Sequence, residues 1–134
     1  MKRTRRSVVG LVIVGALVSG CAASTSDIQP MAADALSAAQ SADLGIRIDE
    51  AGRTFPTTAR VVLDDMATQL SEVITQLEQT QTADEAAERA RKDALDASRE
   101  AIDAIHAAQR GDVAAAQRAL ASAIEVLDEV AGER

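Results

Sequence analysis

Leu63-Asp64-Asp65-Met66-Ala67-Thr68-Gln69-Leu70-Ser71-Glu72-Val73-Ile74-Thr75-Gln76-Leu77 is the stretch that decides the fold. Its apolar residues Leu63, Met66, Leu70, Val73 and Leu77 succeed one another at steps of three and four. That spacing brings side chains to one face of a 3.6-residue helix, with Asp64, Thr68 and Glu72 turned away from it. A half-buried strand would need strict alternation, which this stretch lacks. Val62 and Ile74 widen the apolar stripe, so the segment predicts an amphipathic helix that must bury one face against a neighbour.

Helical signals continue in both directions. Pro56 suits the first turn of this helix, which is expected over about residues 57–80. Carrying its phase forward would put Thr80, Asp84 and Arg91 on the buried seam. The seam therefore breaks, and a turn is expected from Thr80 to Ala83, the alternative being one rod bent at these residues. Thr82-Ala83-Asp84-Glu85 fits the S/T-x-x-E capping box and predicts a third helix over about 83–110. Its seam is alanine: Ala87, Ala90, Ala94, Ala97, Ala101, Ala104 and Ala108, flanked by Leu95, Ile102 and Ile105, so another helix can approach closely. Gly111-Asp112 ends that helix and opens a fourth, over about 112–131, carrying Val113, Ala116, Leu120, Ala123, Leu127 and Val130. Upstream, Pro30 and Gly52 bracket a first helix of about 30–51, whose regularity around Gly45 is open. The Leu44, Ile46, Ile48 alternation is too short to make a strand of it. The expected fold is all-α: a small up-and-down antiparallel bundle of three to four helices over residues 29–134.

Composition limits what such a bundle can do. The chain has 134 residues, 47% hydrophobic but 1% aromatic, and 29 of them are alanine. From Ile28 onward only 24 residues are Val, Ile, Leu, Met or Phe. The core should be thin and a roomy ligand cavity is not expected, so stability would be marginal or would lean on a partner or on self-association. With no Trp or Tyr and a pI near 4.6, the chain lacks the stacking platforms and basic surface of nucleic-acid binding. Phe55, the one aromatic, is expected to plug the bundle end, the alternative being an exposed partner contact.

No catalytic or metal set is readable. His106 has Asp103 three residues earlier, but there is no second histidine and no Glu-x-x-His pair. Ser37, Ser41, Ser71, Ser98 and Ser122 lack a base and an orienting group. The charges of the third helix read as a solvated face with i,i+4 pairs Glu85 to Arg89, Glu88 to Lys92 and Arg99 to Asp103. The expectation is a non-enzymatic protein without cofactor or metal.

The N-terminus is different in kind. Lys2, Arg3, Arg5 and Arg6 precede an eleven-residue apolar run, Val8 to Val18, the layout of a secretory signal peptide. That run is well short of the roughly 20 residues of a membrane-spanning helix. Leu17-Val18-Ser19-Gly20-Cys21 resembles the lipobox of bacterial lipoproteins, and the rest of the chain is similar to small Ala-rich helical lipoproteins of the bacterial envelope. The resemblance implies a signal peptide over 1–20, cleavage between Gly20 and Cys21 by signal peptidase II, and a diacylglyceryl group on the Cys21 sulfur. It implies lipid anchoring at the extracytoplasmic face of a membrane, with residues 21–28 as lipidated cysteine and tether. Removal of the four N-terminal cations would take the formal charge from −7 to −11. The expected role is an interaction or structural module for an envelope partner. A self-associating coiled-coil spacer is the alternative, and a small lipid- or ligand-binding bundle is a third.

Overall fold

Capping residues, more than prolines, set where the helices of this chain begin. In the structure, a computed structural model that describes residues 21–132, the chain forms α1 (Thr25–Glu50), α2 (Pro56–Gln79), α3 (Glu85–Gln109) and α4 (Val113–Gly132). The expected signal peptide, Gly20 included, lies outside the described residues. The all-α bundle has four members, and short turns join successive antiparallel helices.

α1 begins five residues before Pro30, inside the segment read as tether. Ser24 starts it: its N–H and its hydroxyl both donate to Asp27 Oδ2 at 2.8 Å, which holds the first turn and places a carboxylate at the positive end of the helix. Pro30 sits in the second turn, and the hydrogen bond it cannot make would have gone to the Ser26 carbonyl. The helix continues without a break through Gly45.

α1 and α3 end alike. Gly52 at φ +65° and Gly111 at φ +92° take the left-handed conformation that closes a helix. Behind them the Arg53 N–H donates to the Ile48 carbonyl at 3.0 Å, and the Asp112 N–H to the Ala107 carbonyl at 2.9 Å. The Asp112 carboxylate lies 3.4 Å from the Ala115 nitrogen, a weak cap for α4.

α2 and α3 are separate helices, and the three polar residues that interrupt the α2 seam build the turn between them. Thr80 is the C-cap, its hydroxyl donating to the Gln76 carbonyl at 2.6 Å. Asp84 is the N-cap of α3, accepting the Ala87 N–H at 2.8 Å. Arg91 reaches back from α3 to donate to the Leu77 carbonyl at 3.1 Å. Asp84 thus takes the capping place that the S/T-x-x-E spacing assigns to Thr82. Thr82 instead donates its hydroxyl to Glu88 Oε2 at 2.8 Å.

Alanine decides how the four helices meet. Fourteen of the twenty-five buried hydrophobic residues described are alanines, concentrated on α1 (Ala32, Ala35, Ala38, Ala39, Ala42) and along α3. These two diagonal helices touch, whereas α2 and α4 do not. Methyl side chains let helix axes approach at the short end of the usual 8 to 10 Å. The larger residues then fill the flanks, with Leu70 and Leu77 from α2 and Leu120 and Leu127 from α4 fully buried.

The expected i,i+4 pairs on α3 do not form. Glu88 turns toward the α2 to α3 turn and takes Arg91 at 2.6 Å, Lys92 pairs with Asp96 at 2.7 Å, and Arg99 crosses to Glu78 of α2 at 2.6 Å. Glu88 and Arg99 take partners that the turn or the neighbouring helix holds in place, an option invisible to spacing within one helix.

Candidate functional site

Cys21 is exposed and free, and the residues just after it fix where it sits on the bundle. The Ala23 N–H donates to the Gln81 carbonyl at 2.7 Å, and the Ala83 N–H donates to the Ala23 carbonyl at 2.8 Å. This two-bond clasp ties the chain to the α2 to α3 turn just before Ser24 caps α1. The segment beyond Cys21 is therefore part of the bundle end and not a loose tether. At that end Asp27 is held below the ordinary carboxylate range by the Ser24 backbone and hydroxyl donors. Glu88 is lowered to about 2 by the Arg91 guanidinium and the Thr82 hydroxyl.

The other residues singled out in the sequence are dispersed. His106 and Asp103 are both exposed on α3, and among the described residues no group of three potential metal ligands comes together. Ser98 is fully buried and donates to the Ala94 carbonyl at 2.7 Å, which removes it from contact with any substrate. Phe55 does not plug the bundle end. It is 78% exposed, because Phe55 is the N-cap of α2 and its extended backbone at ψ 140° projects the ring off the end of the bundle.

One feature of this surface has no counterpart among the expectations from sequence. Leu44 and Ile48 lie off the α1 seam that carries Ile28, Ala32, Ala35, Ala39, Ala42 and Ile46, and they face Val62 of α2 across an open groove of about 350 Å³. Among the described residues Leu44, Val61 beside it, and Phe55 are the large hydrophobic residues that stand exposed. All three sit in the half of the bundle remote from Cys21. The available signal was the Val61-Val62 doublet and the off-phase Leu44 and Ile48, which supply more apolar surface than one core-facing stripe can bury.

No protein family, curated protein or solved structure matches this chain.

Proposed function

We propose that this chain is a bacterial envelope lipoprotein, anchored through lipid on Cys21 at the extracytoplasmic face of a membrane, whose acidic four-helix bundle is a non-enzymatic interaction module. The observation that carries the reading is the order basic head, short apolar run, small residues and Cys21, with a clasp onto the folded domain two residues later. Two acyl chains at ~0.8 kcal/mol per buried CH₂ hold a small protein stably on a bilayer. With so short a connection the bundle would stand with its α2 to α3 turn toward the lipid, and Phe55, Leu44 and Val61 toward the surroundings.

The interaction role rests on where apolar surface is left uncovered. The spacer alternative needs helices whose seams face other chains. Here the seams of all four helices are buried against one another within one chain, which favours the interaction module.

The test is fractionation of cells with labelled fatty acid. Wild-type protein should be labelled and membrane-bound, and Cys21→Ala should be neither. A variant that labels and partitions like the wild type overturns the anchor. For the module, a photo-crosslinking side chain placed in turn at Leu44, Phe55 and Arg118 should trap a partner at one or more positions; no adduct at any of them overturns that part.

A further inference from the structure

The groove between α1 and α2 has two unlike halves in one line. In the half remote from Cys21 it is apolar, walled by Leu44, Ile48 and Val62, with Leu44 57% exposed. In the nearer half it is polar and acidic, with Asp34 on one wall and Glu72 on the other. Among the described residues neither Asp34 nor Glu72 makes an ion pair or a side-chain hydrogen bond, so both carboxylates can meet a cation brought into the groove. Ten residues of α1 separate Asp34 from Leu44, about 15 Å along the axis.

That pattern selects its occupant. A second copy laid antiparallel in full register would set Leu44 and Val62 against Asp34 and Glu72, one laid parallel would set the acidic halves against each other, which costs binding energy, and one staggered to pair the apolar halves alone would leave both acidic halves uncovered. The complement is a segment with aliphatic side chains at one end and cations at the other. We propose that this groove docks a helical segment of a partner protein, about 14 to 18 residues long, with two large aliphatic side chains seated between Leu44 and Val62 and Lys or Arg about 15 Å away, facing Asp34 and Glu72. This rests on the interaction-module reading and adds the site, the polarity and the chemistry of the partner. The basic end of the segment points toward the Cys21 end of the bundle. The acidic domain as a whole speeds encounter with such a segment.

The test is a selection of random 16-residue peptides displayed on phage against the full chain in nanodiscs, with anisotropy of the labelled winners as the second step. Enriched peptides should carry net positive charge, with aliphatic and basic residues at opposite ends. Leu44→Lys should weaken binding about tenfold or more, as should Asp34→Lys with Glu72→Lys, and the latter pair should also flatten the salt dependence. Asp93→Lys with Asp103→Lys, the same change of four charges on exposed α3 surface, should leave binding within about twofold. All of these positions are exposed, so the fold should persist by circular dichroism. No enriched peptide, enriched peptides without a basic bias, or binding indifferent to the groove variants overturns the proposal. Cellular crosslinks confined to Arg118 on α4 would overturn it too while leaving the broader module reading in place.

Discussion

The Ala83 N–H donates to the Ala23 carbonyl at 2.8 Å, joining the residue two after Cys21 to the residue two before α3. Neither residue has a side chain able to direct this; the backbone does it alone. Ala83→Pro removes the donor and should cost about 0.5 to 1.5 kcal/mol, the usual net worth of one hydrogen bond. The sharper readout is amide exchange. The Ala23 N–H, bonded to Gln81 in the native chain, should lose protection in the variant while the centre of α3 keeps its own. Unchanged protection at Ala23 would mean that Ser24 and Asp27 hold this end without the clasp.

The alanine contacts between α1 and α3 make the core intolerant of growth. Ala101 is fully buried on the α3 seam, and Ala101→Leu should destabilise by about 1 to 3 kcal/mol through overpacking. Ala86, exposed on the same helix, accepts the same change within about 0.5 kcal/mol. Urea titrations of both variants separate the effects, since helix propensity moves alike in the two. Equal destabilisation would show that α1 and α3 have room between them. In the opposite sense, Leu70→Ala empties one of the few large buried positions and should cost about 2 to 5 kcal/mol.

The fold was legible where seam and turn chemistry agree. The α2 stripe, the α3 alanine seam and the α4 pattern lie on the core-facing sides of their helices, with Ala108 and Val113 half-buried beside the last turn between them. Gly52 and Gly111 close helices as glycine so placed should. The start of α1 is masked in the sequence because Pro30 is the conspicuous signal, whereas the Ser24 to Asp27 cap uses aspartate where the usual box has Glu or Gln. The Ala23 clasp was not legible at all, since a backbone hydrogen bond between residues sixty apart leaves no trace in side-chain pattern. The α1 to α2 groove was half visible. Leu44, Ile48, Val61 and Val62 announce surplus apolar surface, but which helices flank it depends on the bundle's packing.

Acid should loosen the clasped end first. Glu88 ionises at about 2 in the folded chain against an ordinary 4.5, and Asp27 is lowered in the same direction. A carboxyl group lowered on folding stabilises the fold fully above its unfolded pKa, and that contribution is lost as pH falls through the folded value. The melting temperature should therefore decline from about pH 4.5 toward pH 2. Both groups lie at the surface, where solvent screens the interaction, so the decline is modest. Glu88→Gln should make it shallower, and a variant with the same pH profile as the wild type would show that the Glu88 to Arg91 pair contributes nothing.

Gly45 offers a gain in stability that also probes the groove. It lies inside α1 with helical backbone, where glycine costs about 0.5 to 1 kcal/mol relative to alanine because it gives up more conformational freedom on folding. A Cβ at this position would meet Val62 Cγ1 at 3.4 Å, the near edge of ordinary van der Waals contact. Gly45→Ala should accordingly raise the melting temperature by roughly 2 to 6 °C for a domain of this size. The added methyl also raises the floor of the apolar half of the groove between Leu44 and Val62. Stability and peptide binding should then move in opposite directions, a warmer melt with weaker docking. A cooler melt would instead show that Val62 cannot yield and that the α1 to α2 spacing is fixed by the bare glycine.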